Sequence, residues 1–130
     1  MVLPVTLASA AAAAIMAFWL AWRIFGIRQQ ARIAHGDGDH PLLTRRMRAQ
    51  LNFVEYTPIV LVLCGAIELA GAGGAWLAGV MGFYMLGRVA HAFGMDSEAV
   101  PATRKIGMAV TLLTLLGLAG VAALVAAGVP

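Results

Sequence analysis

Residues 1–22, MVLPVTLASAAAAAIMAFWLAW, and residues 106–130, IGMAVTLLTLLGLAGVAALVAAGVP, contain no Asp, Glu, Lys or Arg. A helix needs about 20 mostly apolar residues to cross the hydrocarbon core of a bilayer, and each stretch is long enough. Residues 69–87 form a third charge-free run. A fourth apolar stretch lies between Leu51 and Ala70, interrupted by Asn52, Glu55 and Glu68. The rest of the composition agrees: 62% of the 130 residues are hydrophobic and 12% charged, against about 25% charged in soluble domains. Mean hydropathy is +0.87. These features define an all-α integral membrane four-helix bundle. A single transmembrane domain is expected over residues 1–130, with helices at about 4–25, 43–70, 75–93 and 104–127.

The segments between the spans carry the punctuation. Trp19 and Trp22 precede Arg23, as in an aromatic belt at a membrane interface. His35-Gly36-Asp37-Gly38-Asp39-His40-Pro41 is polar and turn-rich. Gly71-Ala72-Gly73-Gly74 is a tight, uncharged hairpin, and Gly94–Pro101 is a short acidic loop. The first connection holds six arginines from Arg23 to Arg48, and the third is followed by Arg104 and Lys105. The second connection and both ends hold no Lys or Arg. The positive-inside rule places the arginine-bearing connections in the cytoplasm and both termini on the non-cytoplasmic side. The first apolar run has no basic segment before it and is expected to be a retained helix rather than a signal peptide. The net charge of +3 belongs to these membrane-flanking arginines, so nucleic acid is not an expected partner. Cys64 is the single cysteine, which excludes an intrachain disulfide and CxxC chemistry.

Ionisable groups within a span cost about 2.5–3.5 kcal/mol at its centre, so those present carry information. Arg48, Asn52 and Glu55, at i, i+4 and i+7, share one face of the second helix. Arg88 and His91, at i and i+3, share a face of the third. A polar layer with a Glu55–Arg88 or Glu55–Arg48 pair is expected, serving either ligand binding or helix register. Glu68, beside the glycine-rich hairpin, reads as a solvated headgroup-level residue. His35 and His40 read as solvated loop residues, and no metal site is expected. Pro58 should bend the second helix. Gly79, Gly82, Gly87, Gly117 and Gly120 are expected to permit close helix contacts.

Arg48-Ala49-Gln50-Leu51-Asn52-Phe53-Val54-Glu55-Tyr56-Thr57-Pro58 resembles the signature of the MAPEG family, the membrane-associated proteins in eicosanoid and glutathione metabolism. Arg88-Val89-Ala90-His91-Ala92-Phe93-Gly94 is similar to that family's third-helix pattern. Length, helix count and topology match as well, in the manner of a bacterial member. The resemblance implies a homotrimer in the membrane lipid, with glutathione held between subunits near the cytoplasmic side and lipophilic small molecules as second substrates. By it, Arg48, Asn52, Glu55 and Tyr56 would contact glutathione, Gln50 matches a ligand-contacting position of some members, and Arg28 is a further arginine for the carboxylates. Arg88 and His91 join this set through the third-helix pattern. The thiol-activating arginine of active members has its nearest counterpart in Arg104, with a spacing from Arg88 longer by a couple of residues. Where active transferases carry tyrosines after the third-helix arginine, this sequence has His91 and Met95.

Glutathione chemistry suits these residues: arginine forks bind carboxylates, a glutamate suits the ammonium, and Asn and Tyr supply neutral partners. The expected function is glutathione transfer or peroxide reduction on lipophilic electrophiles in the bacterial inner membrane. The alternative is a non-catalytic binding or structural protein on the same fold. A proton-coupled exporter would want a carboxylate in the first helix, a quinone-linked thiol oxidoreductase paired cysteines, and a haem bundle two facing histidines. This sequence offers none of the three.

Overall fold

The computed structural model describes residues 1–129 and shows four helices: α1 (Pro4–Ala31), α2 (Pro41–Leu69), α3 (Ala75–Gly94) and α4 (Ala102–Ala126). They alternate in direction. The arginine-rich first connection and the acidic third connection therefore lie at one end of the bundle, and the 70–74 hairpin at the other. α1, α2 and α4 are long and apolar enough to span a membrane. α3 carries Arg88 and His91 within its length, and its 20 residues reach about 30 Å, the thickness of the hydrocarbon core.

Local sequence sets the helix ends. Pro4 and Pro41 occupy first-turn positions, where a missing N–H costs nothing. His40 caps α2 by accepting the Leu43 N–H on Nδ1 at 3.2 Å, so its role is structural. α1 runs two turns beyond the expected end at residue 25, carrying Arg28 out of the membrane. It stops where Arg32 turns left-handed and the Ile33 N–H reaches back to the Arg28 carbonyl at 3.0 Å. Gly71 and Gly74 take φ of +77° and +131° in the hairpin, conformations that other residues rarely adopt. α2 continues through Pro58 as one helix.

α3 and α4 form the most extensive pairing, followed by α1 with α2, and α1 and α4 do not approach one another. The α3–α4 contact is set by glycines. A Cβ at Gly107 would stand 2.6 Å from both the Gly87 carbonyl oxygen and His91 Cβ, and one at Gly94 would stand 2.5 Å from the Arg104 nitrogen. A Cβ at Gly87 would meet Val110 at 2.7 Å. Of the five glycines expected at helix contacts, Gly87 alone fills that role within the protomer. Gly79, Gly82, Gly117 and Gly120 have open space around them, because they lie on outward faces.

The core of the hairpin end comprises Val60, Cys64, Ile67, Leu77, Met81, Tyr84 and Leu118. Glu68, expected to be solvated, instead crosses to α1. It accepts the Val5 and Thr6 N–H groups at 2.9 and 2.8 Å and the Thr6 hydroxyl at 2.7 Å. The first turn of a helix presents orphan N–H groups and partial positive charge, and a carboxylate from a neighbouring helix satisfies both.

At the other end Asp96 plays the corresponding part. Its carboxylate pairs with Arg23 of α1 and, at 3.2 Å, with Arg46 of α2, while its carbonyl accepts from Arg45 Nε at 3.1 Å. Arg23 also lies over the rings of Trp19 and Phe93, 4.7 and 5.7 Å from their centroids. One aspartate thus ties α1, α2 and the α3–α4 loop together.

The glycine seam makes a direct prediction. Gly107→Ala should lower stability in detergent by about 1–3 kcal/mol through overpacking. Gly117→Ala, which meets open space in a helix, should be neutral or stabilising by up to about 1 kcal/mol. Thermal unfolding of the two variants checks the contrast.

Candidate functional site

All nine residues singled out from the sequence lie toward the arginine-bearing end of the bundle, but they divide into distinct environments. Arg48 and Glu55 are exposed on the outside of α2, and no ion pair includes either among the described residues. Neither expected pair, Glu55–Arg88 or Glu55–Arg48, forms within the protomer. The reason lies in helix rotation: α2 turns Ala49, Phe53, Thr57 and Val60 inward, which carries Arg48 and Glu55 outward.

Arg88 goes the other way. It is 1% exposed, and its guanidinium donates to Thr111 Oγ1 at 2.9 Å. Thr111 in turn donates to the Gly107 carbonyl at 2.8 Å. Arg88 Nε has no partner among the described residues, nor does Nδ1 of the buried His91. The face shared by Arg88 and His91 is therefore packed on α4, across the Gly87–Gly107 contact. Tyr84, one turn earlier, is also buried and shares a 2.8 Å hydrogen bond with Thr57 of α2.

Asn52 and Tyr56, four and eight residues after Arg48, lie between the exposed Arg48–Glu55 edge of α2 and its buried row, and are half-buried. Asn52 Nδ2 approaches Met108 Sδ of α4 at 3.7 Å, and its Oδ1 is buried without a partner among the described residues. Arg104 stands in the first turn of α4, half-buried, with its backbone against Gly94 and one turn from the Gly107–His91 contact. Asn52, Arg88, His91 and Arg104 thus converge on the α4 side.

Arg28 and Gln50 meet on the α1 side, where both border a groove of about 480 Å³. Arg28 also donates to the Gly36 carbonyl at 2.7 Å, folding back over the first connection. A second groove, of about 400 Å³, runs along α2 and is lined by Arg48, Gln50, Leu51 and Val54, with Asp37 and Thr44 at its rim. The Asp39 N–H and the Thr44 hydroxyl, at 3.0 and 2.9 Å, hold the Asp37 carboxyl below its ordinary pKa, so the rim keeps its negative charge through neutral pH. Gln50 borders both grooves. The protomer therefore gathers the candidate residues on two sides of α2, with neither side holding the whole set.

The residues from 6 to 124 match the MAPEG family. The chain belongs to the MAPEG family. Among individual proteins it is similar to the inner membrane protein YecN of Escherichia coli K12. The two are 33% identical over 104 residues, covering 79% of this chain and 78% of the relative. The YecN protein of Escherichia coli O6:H1 matches to the same extent. This MAPEG protein is thus a membrane protein of the glutathione and eicosanoid metabolism family.

Two parts of the site region escape the sequence. The Arg23–Asp96–Arg46 cluster is one, although a charge count could have suggested it, because six arginines face a third connection whose acids are Asp96 and Glu98. The other is Thr111, an unremarked hydroxyl in an apolar helix that becomes visible only once α4 is docked against Arg88. Its role is testable. Thr111→Val keeps the shape and removes the acceptor, and should lower stability by about 1.5–3 kcal/mol, the range for a hydrogen bond to a charged group. Thr111→Ser should retain most of it in the same thermal unfolding assay.

Proposed function

We propose that the protein binds glutathione at sites shared between the subunits of a homotrimer and presents its thiolate to lipophilic electrophiles or peroxides entering from the bilayer. The observation that carries this reading is the outward placement of Arg48 and Glu55. A cation and an anion on the surface of a membrane helix, without ion-pair partners among the described residues, call for a partner from outside, since lipid satisfies neither. A neighbouring copy can complete what one protomer leaves divided, and glutathione, with two carboxylates and one ammonium, complements both charges. Membership of the MAPEG family supports the same assignment. The arginine asymmetry supports a site on the cytoplasmic side with both termini on the other. The similarity to YecN, named as an inner membrane protein, supports the bacterial inner membrane as its location.

In this reading Arg28 and Arg48 hold the carboxylates, Glu55 takes the ammonium, and Gln50, Asn52 and Tyr56 supply neutral hydrogen bonds. Arg88 and His91 lie behind this face, buried against α4, with Nε and Nδ1 unpartnered among the described residues; a neighbouring copy or the ligand would have to reach them there. Arg104 stabilises the sulfur as thiolate, the nucleophilic form. It stands in the first turn of α4, where the helix end adds positive potential. The thiol proton is released to water at the interface. The thiolate then bonds to carbon of the electrophile and expels its leaving group, or adds to an activated double bond whose other carbon takes a proton. With a peroxide it attacks one oxygen and breaks the O–O bond, releasing the alcohol and leaving a sulfenic acid that a second glutathione converts to the disulfide and water.

One observation favours the non-catalytic alternative. His91 and Met95, which stand where active transferases carry tyrosines, are only 4% and 6% exposed and so offer little to a bound sulfur.

Native mass spectrometry and calorimetric titration, with oxidised glutathione as control, should show three chains binding glutathione. Arg48→Ala and Glu55→Gln should each weaken binding by about 1.5–3 kcal/mol with thermal stability preserved. Unchanged affinity in a well-folded Arg48→Ala protein would remove the site from α2. A reporter fused after α4 should read non-cytoplasmic. Glutathione bound at pH 7 should show an ultraviolet thiolate band that Arg104→Ala loses and Lys105→Ala keeps, since a free thiol titrates near ~8.5. Binding without that band would select the non-catalytic reading.

A further inference from the structure

Away from this site, the seam between α1 and α3 is open on the outer surface. Two apolar cavities lie along it, of about 220 and 370 Å³, and they share Ala12 and Met85. The lining is shallow because small residues form much of it: Ala8, Ala12, Ala78 and Gly82. A Cβ built at Gly82 meets nothing within 4 Å. The two cavities form one furrow from Val5, near the hairpin end, to Trp19.

The furrow ends on charge. Trp19, which lines its lower end, packs on Phe93 with ring centroids 5.3 Å apart, and the Arg23 guanidinium covers both rings. Arg23 and Arg46 share the Asp96 carboxylate, while Arg45 touches only the Asp96 backbone carbonyl. Three guanidinium groups against one carboxylate leave a local charge of 3 − 1 = +2, with the Arg45 charge unpaired among the described residues.

We infer that this furrow seats an anionic phospholipid from the leaflet on the arginine-bearing side. One acyl chain lies along the α1–α3 seam, and the headgroup phosphate rests on Arg45, with Arg23 and Arg46 adding field. The dimensions fit: half of the hydrocarbon core is about 15 Å, and at 1.5 Å per residue a chain starting at Trp19 reaches the level of Ser9. The upper part of the furrow then belongs to the opposite leaflet. The charge selects the occupant. A second copy of the chain or a neutral lipid would fill the apolar part and leave the unpaired cation beside it, whereas an anionic amphiphile satisfies both ends.

Brominated acyl chains quench tryptophan on contact, which makes Trp19 a reporter. Trp22→Phe and Trp76→Phe leave it as the single tryptophan. The protein is reconstituted in vesicles of phosphatidylcholine containing a minor fraction of either brominated phosphatidylglycerol or brominated phosphatidylcholine. Trp19 should be quenched more strongly by the anionic lipid. Arg45→Gln, which leaves both Asp96 ion pairs in place, should reduce that preference by about fivefold, the value of one arginine near a charged membrane surface. Ala12→Phe, filling the furrow, should lower quenching by both lipids. Equal quenching by the two lipids, or a preference unchanged in Arg45→Gln, overturns the headgroup assignment. Quenching by neither means that another chain covers the seam, and overturns the lipid seat altogether. None of these substitutions replaces a proposed glutathione residue. Trp22 borders the groove shared by Arg28 and Gln50, so the Trp22→Phe, Trp76→Phe protein is the reference for every comparison, and lipid quenching is read without glutathione, apart from the function proposed above.

Discussion

A guanidinium buried in an apolar bundle must be given hydrogen-bond partners, and the one on Arg88 finds a hydroxyl rather than a carboxylate. Much of the bundle is arranged around that choice. Thr111 can reach Arg88 only because α4 lies almost in backbone contact with α3, and the missing side chains of Gly87, Gly94 and Gly107 allow that approach. The same contact buries His91 and sets Arg104 at the end of α3. Had Glu55 neutralised Arg88, α2 would have had to rotate its polar face inward and bring its apolar face out. The inward-facing row of Ala49, Phe53, Thr57 and Val60 fixes the opposite orientation.

The ends of the bundle are closed by carboxylates that each serve another helix. Glu68 of α2 caps the first turn of α1, and Asp96 of the α3–α4 loop collects arginines from α1 and α2. Helices in a bilayer gain little from the hydrophobic effect against one another, because lipid tails are as apolar as their side chains. Packing and polar contacts between helices therefore carry more of the assembly. α1, which never meets α4, depends on these two anchors and on its packing against α2 and α3.

Surface chemistry follows from the same rotations. One side of α2 offers Arg48 and Glu55 to whatever lies next to the protomer, while the α1–α3 seam offers an apolar furrow ending in excess positive charge. These are different kinds of invitation. The α2 face carries both signs and suits a zwitterionic peptide or a neighbouring subunit. The seam ends in a net positive charge below a hydrocarbon-sized slot and suits an anionic amphiphile.

The four helices and their alternation were legible from the charge-free runs, because crossing a bilayer imposes a length and an apolar composition that any sequence must display. The Arg48-to-Pro58 segment likewise identified the family, since polar residues at fixed spacing in a membrane helix are costly to keep. Helix ends were less legible: α1 outlasts its apolar stretch by two turns because hydropathy reports the membrane boundary, not where hydrogen bonding stops. The partners of the polar residues were not legible at all. Spacing places Arg48, Asn52 and Glu55 on one broad face, but a face does not say which neighbour it meets. Rotation of α2 about its axis sends Arg48 and Glu55 outward and leaves Asn52 beside Met108 of α4. The depth of the α3–α4 contact sends Arg88 to Thr111, and loop closure brings Asp96 to Arg23 and Arg46. Each outcome depends on side chains distant in sequence packing together, and tertiary structure alone decides that.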